Sequence, residues 1–397
     1  MEFGIKKYFS GLGRNIFLLT LASFFADIAS EMLYPLFPIF ITETLKASGS
    51  ILGVIEGIAQ ATQYCIQGLS GYLSDKLQKR KTIALIGYTL SALSKPFIGA
   101  AGVWPIALAV RFSDRLGVGT RSAPRDALIS ASVDPAKKGK AFGFEGIGDN
   151  MGAFIGPLIT IVLFFWLAFG IRTIFYLTII PGILSVLMIF FVKETKDTAK
   201  SRAKKSVHWR HLPIIYWKYL LVTAVFCISN SSNTFLILQT KEKGCSLEMT
   251  ITLYALLNLA AACISLPSGS LSDKFGRKPL LLIAFVIFLI SYSGFAFASN
   301  ILLIEILFVV YGLFQGIFKS VGKSFVADLI PEQMQASGIG WYSATVGLSQ
   351  LIASIVGGLL WDGVGHSAVF LYGAIVSVFG IISLAFLIPN MHHKTAK

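Results

Sequence analysis

Residues 71–81 read GYLSDKLQKRK, and residues 269–278 read GSLSDKFGRK. The two copies of this short polar motif start 198 residues apart (269 − 71), which is about half of the 397-residue chain. A motif that returns at such a distance indicates an internal repeat. The sequence therefore predicts a protein built from two related halves, with the motif at the same place in each half.

The composition places both halves in a lipid bilayer. Hydrophobic residues make up 55% of the chain and charged residues 14%, and the mean hydropathy is +0.72, unlike soluble domains. One bilayer crossing takes about 20 mostly apolar residues, and segments of this kind recur about a dozen times. We predict an all-α membrane protein with two pseudo-symmetric bundles of six helices, an architecture most common in transporters that work by alternating access.

We place twelve spans from the hydrophobic pattern. The first half holds six, at about residues 16–41, 50–73, 82–102, 104–130, 140–168 and 171–192. The second half holds six, at about residues 214–240, 250–271, 279–298, 301–329, 336–361 and 366–389. The predicted domains are an N-terminal bundle over residues 1–193, a basic cytoplasmic linker over 194–212 and a C-terminal bundle over 213–397.

The net charge of +14 lies almost wholly in alternate loops. This asymmetry places both termini in the cytoplasm, with a bacterial inner membrane as the expected location, and it explains the basic character without a nucleic-acid partner. No segment is large enough for a soluble catalytic domain and no phosphate-binding glycine loop is present, so we expect neither an enzyme nor a bound cofactor. We expect the lipid bilayer and a small-molecule substrate as partners, no bound metal, and function as a monomer.

The repeated motif resembles the loop between spans 2 and 3, echoed between spans 8 and 9, of the major facilitator superfamily. The resemblance covers essentially the whole chain and implies a gate latch, in which an aspartate caps a helix and pairs with a cation one turn on. By this resemblance the gating residues are Gly71, Asp75 and Lys79 in the first copy, Gly269, Asp273 and Arg277 in the second, and Asp126 at the inner end of span 4. Gln78 stands where the family has the glycine that Gly276 keeps, so we expect the two turns to differ in shape.

Two carboxylates lie one turn apart in span 1, at Asp27 and Glu31. Charged groups at membrane depth are costly, so each needs a partner or a purpose. Because two carboxylates on one helical face repel each other, the pair is a candidate proton carrier. Two alternatives stay open: static salt bridges to arginines of span 4, and a site for a divalent cation.

Spans 4 and 5 carry further charges and small residues. Arg111 and Arg115 share a face near mid-membrane, where members of the family often use an arginine for coupling or for substrate contact. We expect Arg121 and Arg125, nearer the cytoplasmic end, to pair with Glu145 and Asp149 of the antiparallel span 5. Gly152, Gly156 and Pro157 predict close packing and a kink, and the stripe is similar to a pattern found in antiporters of the family.

Polar residues of the second half gather in spans 7 and 10. Tyr311, Gln315, Lys319 and Lys323 follow at intervals of four and form one stripe, and Asn230 and Asn233 lie near the centre of span 7. By the resemblance, spans 1, 4, 7 and 10 line the cavity. We assign substrate binding to Arg111, Arg115, Asn230, Asn233, Tyr311, Gln315 and Lys319.

These features predict a secondary active transporter that moves a small organic solute by alternating access and is coupled to protons. The cations of spans 4 and 10 favour an anion, including an anionic metal chelate. The main alternative is a proton-coupled multidrug efflux antiporter. A divalent metal transporter and a membrane sensor that does not transport are further alternatives.

Overall fold

The computed structural model describes residues 13–133, 138–194, 212–298, 300–330 and 335–389, and within these ranges the chain forms helices and no strand. The helices of the first half are span 1, Arg14–Leu33 followed by Phe37–Ile39 and a π-helical turn Phe40–Thr44; span 2, Gly49–Leu77; span 3, Arg80–Ala100; span 4, Trp104–Ala131; span 5, Lys138–Ile161 with a π-helical turn Val162–Trp166; and span 6, Ile171–Leu177 with Ile179–Phe191. The helices of the second half are span 7, Ile214–Cys227 with Thr234–Glu242; span 8, Leu247–Phe275; span 9, Arg277–Phe297; span 10, Ile301–Leu329; span 11, Gln335–Gly363; and span 12, His366–Leu387.

Each predicted span corresponds to a helix or a helix pair, and most ends lie within a few residues of their predicted places. The repeated motif is a correction, because most of it is helix and not loop. Span 2 runs to Leu77, and the turn consists of Gln78 and Lys79 alone. Gln78 has φ 51° and ψ 32°, whereas Gly276 has φ 95° and ψ 154°. The two turns differ in shape as expected, since only glycine readily adopts the second conformation.

Nine segments of the described chain are long and apolar enough to cross a bilayer by themselves. Spans 2, 4 and 7 are not among them. Span 4 carries six charged side chains, and span 7 is interrupted, leaving the 14-residue helix Ile214–Cys227 on one side of the break. The chain is an integral multi-pass membrane protein, and its least apolar spans are those with neighbours that supply polar contacts.

The twelve spans form two bundles. In the first half spans 1 and 5, 3 and 4, and 2 and 4 pack closely, and in the second half spans 8 and 10, 9 and 12, and 9 and 10 do so. Span pairs 2/4 and 8/10 correspond, as do 3/4 and 9/10, which is the pseudo-symmetry that the repeat predicts. Spans 2 and 11, and spans 5 and 8, join the bundles. The predicted linker falls mostly on residues 195–211, outside the described residues.

Two ends of this helix array are named below. The basic face is the end at which span 1 begins and span 12 ends, and it holds the turns at Gln78 and Gly276. The far face is the opposite end, where spans 1 and 2, 7 and 8, and 11 and 12 are joined.

Glycines allow the closest helix contacts. A Cβ atom on Gly152 of span 5 would lie 2.6 Å from the carbonyl oxygen of Phe24 in span 1. One on Gly53 of span 2 would lie 2.2 Å from the carbonyl oxygen of Ser354 in span 11. Both distances are too short for any side chain, so glycine sets the separation of spans 1 and 5 within a bundle and of spans 2 and 11 between bundles. The helix of span 5 continues through Pro157 to Ile161.

Candidate functional site

A cavity of about 230 Å³ lies between the two bundles. The first half contributes Tyr34, Gln60 and Tyr64 to its lining, and the second half contributes Asn230, Ser231, Ser232, Asn233, Phe314, Gln315, Phe318, Lys319, Lys323, Tyr342, Ser343, Val346, Gln350 and Ser354. The lining thus comes mainly from spans 7, 10 and 11. It combines amides, hydroxyls, aromatic rings and two lysines, and no carboxylate is among these residues.

The break in span 7 forms one end of this cavity. The first helix ends at Cys227, and the second begins at Thr234. The residues between are Ile228, Ser229, Asn230, Ser231, Ser232 and Asn233, mostly types whose side chains compete with helical backbone hydrogen bonds. The sequence prediction of a continuous helix over 214–240 was wrong here, although this Ser/Asn run was the signal for a break.

The two asparagines of the break are held by span 10. The Oδ1 atom of Asn233 lies 2.9 Å from Gln315 Nε2 and 2.9 Å from the Tyr311 hydroxyl. The Oδ1 atom of Asn230 lies 3.0 Å from the same hydroxyl and 3.5 Å from that of Tyr292. The structure therefore brings together four of the residues assigned to substrate binding. Tyr311 is fully buried and reaches the cavity only through these asparagines.

Lys319 and Lys323 lie on the same face of span 10, one turn apart, and both line the cavity. Neither forms an ion pair within 4 Å in the part of the chain that the structure describes. Lys319 is attracted across the cleft to the carboxylates of Asp149 and Asp27 in the first bundle. The cavity thus contains two ammonium groups without a direct counter-ion among its lining residues.

The arginines of span 4 are placed differently from the prediction. Arg111 is fully buried, with its Nε 3.0 Å from Glu56 and its Nη1 3.5 Å from Asp114. Lys95 binds the other oxygen of Asp114 at 2.7 Å. Arg115 donates from Nη1 to Gln63 at 3.0 Å. Neither arginine lines the cavity, because neighbouring helices of the same bundle already supply their partners.

The carboxylates of span 1 do not pair with Arg111 or Arg115, so that alternative was wrong. Asp27 lies 3.5 Å from Arg121, whose guanidinium stacks over the Tyr88 ring. Glu31 accepts a hydrogen bond of 2.9 Å from Tyr254 of span 8, in the other bundle. The two acids therefore have distinct environments, one within its bundle and one across the interface.

Arg125 lies 2.8 Å from Glu145 and 3.5 Å from Asp149, which confirms the expected pairing of this arginine with span 5. Arg121, expected to join it, pairs with Asp27 instead. The reason is that Arg121 and Arg125 are one turn apart, so they face different heights of the neighbouring spans.

The motif copies can be compared only in part. The side chain of Asp75 lies outside the described residues; Lys79 is exposed and Gly71 packs against Ala123. Asp126 pairs with its neighbour Arg125 at 2.9 Å and not with the turn, which corrects the predicted contact with Lys79 or Arg80. In the second copy Arg277 binds Asp273 at 2.6 Å and Asp328 of span 10 at 2.8 Å. A Cβ on Gly269 would meet open space.

Polar contacts join the bundles on the far-face side of the cavity. Ser232 lies 3.3 Å from the Tyr34 hydroxyl and donates to Glu56 at 3.4 Å. Lys241 binds Glu43. Asp362, at the end of span 11, accepts hydrogen bonds from the backbone N–H groups of Gly49 (2.9 Å) and Ser50 (2.7 Å) at the start of span 2. In this conformation the cavity is closed toward the far face. Sequence reasoning missed Asp362, Glu56, Lys95 and Asp114.

Comparison with known proteins gives a consistent result. The family described as Major Facilitator Superfamily matches residues 19–259 and 219–397. An uncharacterized MFS-type transporter of Methanocaldococcus jannaschii is 33% identical over 382 residues, covering 95% of each chain. A probable 4-methylmuconolactone transporter of Cupriavidus pinatubonensis is 25% identical over 360 residues, covering 85% of this chain and 82% of its own. The solved structure of the nucleoside transporter NupG has a TM-score of 0.77 at 17% identity, covering 94% of this chain and all of that one.

Proposed function

Because the chain belongs to the major facilitator superfamily of membrane transporters, we propose that it is a secondary active transporter for a small organic anion, coupled to protons. It moves its solute by alternating access, with the basic face and both termini in the cytoplasm of a bacterial cell. The conformation described here is then the inward-facing one, since the contacts between bundles lie on the far-face side.

The observation that carries this proposal is the pair of lysines in a cavity without a lining carboxylate. A cation at membrane depth is costly unless an opposite charge or water compensates it. An anionic solute at Lys319 supplies that compensation, and a lipophilic cation would meet repulsion instead. This favours an organic anion over the cationic drugs of a multidrug antiporter. The glycines of span 5, which favoured an antiporter, are explained by their packing on span 1.

We assign a supporting role to Arg111 and Arg115, since their donors are held by Glu56, Asp114 and Gln63. They fix the positions of spans 2 and 4 beside the cavity. The relative named as a probable 4-methylmuconolactone transporter agrees in solute size with a small organic substrate.

Proton coupling is assigned to Asp27 and Glu31. The carboxylate of Glu31 accepts its hydrogen bond from Tyr254 across the bundle interface. A bond to a charged acceptor is stronger than one to a neutral acid. Protonation of Glu31 therefore weakens a contact that must break when the far face opens, which links the proton to the conformational change.

The test is transport by the purified full-length protein in proteoliposomes, with organic anions, neutral sugars and cationic dyes offered under an imposed proton gradient. We expect gradient-driven accumulation of an organic anion, and Lys319→Gln to reduce its affinity about 10- to 100-fold through loss of a charged hydrogen bond. Lys218→Gln, an exposed lysine outside the cavity, is the matched control. Glu31→Gln should abolish accumulation and retain exchange. Accumulation of cationic dyes alone would favour the multidrug alternative.

A further inference from the structure

We propose that the solute has a second end, an oxygen acceptor, and that this end binds at the break in span 7. The substrate class is then a short organic acid whose other end is a carboxylate or a carbonyl group. This inference rests on the proposed function, in which Lys319 binds the anionic end.

The hydrogen bonds to span 10 fix the direction of the two asparagine amides. A hydroxyl has one proton, so Tyr311 donates to Asn230 at 3.0 Å while Gln315 donates to Asn233 at 2.9 Å. Each Oδ1 atom is thereby occupied and turned toward span 10. The Nδ2 group of each amide points the other way, into the cavity that both residues line. Among the described residues neither Nδ2 group has a partner.

Further features at the break are suited to an acceptor. Asn230 is only 6% exposed, so its free Nδ2 group is a buried donor directed at the cavity. The nine-residue helix Thr234–Glu242 begins there, and the side chain of Asn233 does not cap it. Its N-terminus carries partial positive charge. Ser354, 1% exposed and part of the lining, also has an Oγ atom without a partner. Buried donors without partners are destabilising until an acceptor binds them.

The spacing of span 10 gives the length of the solute. Gln315 contacts Asn233 directly, and Lys319 and Lys323 follow at one and two further turns, about 6 and 12 Å along the helix axis. A short dicarboxylate spans this interval. The walls between the two ends are aromatic and formed by Tyr34, Tyr64, Phe314 and Phe318. They suit a carbon chain or a flat ring.

The decisive variant is Asn233→Asp. It preserves the Oδ1 acceptor of the Gln315 bond and replaces only the cavity-facing Nδ2 donor by a second carboxylate oxygen. Asn233→Leu removes both groups and covers the case in which the new acid is protonated. Asn300→Asp, the same exchange at the N-cap of span 10, is the control, because either side chain accepts the bond from Leu302.

The experiment measures binding of adipate and of hexanoate, its monocarboxylate match, by thermal-shift titration of the purified full-length protein. We expect wild type and Asn300→Asp to bind adipate about 10-fold or more tightly than hexanoate, and both Asn233 variants to lose this preference. Lys319→Gln should weaken both ligands.

The outcomes separate the two proposals. Equal affinity for adipate and hexanoate in the wild type, a preference that survives both Asn233 variants, or no binding across the dicarboxylates from succinate to pimelate overturns the second-end proposal. If Lys319→Gln leaves the affinity for both acids unchanged, the assignment of the anionic end fails, and with it the proposed function.

Discussion

Removal of the Asp362 carboxylate should open the far face. In the structure this side chain, from the second bundle, accepts two backbone N–H groups at the start of span 2, in the first bundle, at 2.9 and 2.7 Å. Each hydrogen bond to a charged acceptor contributes about 1.5–3 kcal/mol when buried, but Asp362 is exposed, so water replaces much of the loss. We estimate a net contribution of about 1–2 kcal/mol to the closed far face, or about 5- to 30-fold in the population ratio of closed to open states.

The assay is the reactivity of a single cysteine at Gln60 in the cavity, in a protein whose four native cysteines have been replaced. A membrane-impermeant thiol reagent is added at the far face of oriented vesicles. Asp362→Ala should increase the labelling rate by about the same factor, with Asp362→Asn between it and the parent protein. Glu248→Gln, an acid at the start of span 8 that contributes no contact between bundles, is the control. Labelling by Asp362→Ala at the parent rate would refute the closing role.

Three further predictions follow from packing and backbone geometry. Gly53→Ala places a methyl group 2.2 Å from the Ser354 carbonyl oxygen, so we expect faster labelling in the same assay, and an unchanged rate would contradict the close contact. Glu56→Gln leaves the buried Arg111 without its charged partner, and thermal unfolding should show a loss of about 3–5 kcal/mol, whereas retained stability would mean that the pair is not buried as described. Ala168→Gly relieves a left-handed residue with φ 54° and should raise the free energy of unfolding by about 1 kcal/mol, with exposed Ala262→Gly, inside a helix, expected to lower it.

Helix positions could be predicted from the sequence because a bilayer demands long apolar segments that satisfy their own backbone. The same reasoning failed where a span is polar. The break at Asn230 was missed because the hydrophobic pattern continues on both sides of it. The helical nature of the Gly71–Leu77 segment was missed because polar residues beyond the bilayer resemble a loop in composition.

The partners of charged side chains could be predicted only for sequential spans. Arg125 and Glu145 lie on neighbouring antiparallel helices, so their heights in the membrane fix their proximity. Arg111 had several carboxylates at similar depth, and its choice of Glu56 depends on how spans 2 and 4 are rotated about their axes. Asp362 and its contact with span 2 depend on how the two bundles meet, which no local pattern encodes.

The two bundles divide the polar groups unequally, and this bears on how the protein moves. The fully buried pairs of Arg111 and Lys95 with Glu56 and Asp114 lie within the first bundle. Breaking such a pair costs several kcal/mol, so the first bundle should move as a rigid body. The broken span 7 and most of the cavity lining belong to the second bundle. Solute binding then acts on the second bundle first, and it reaches the first bundle through Ser232, which touches Glu56 and Tyr34 across the interface. These contacts, unlike the buried ion pairs, are weak enough to break in each transport cycle.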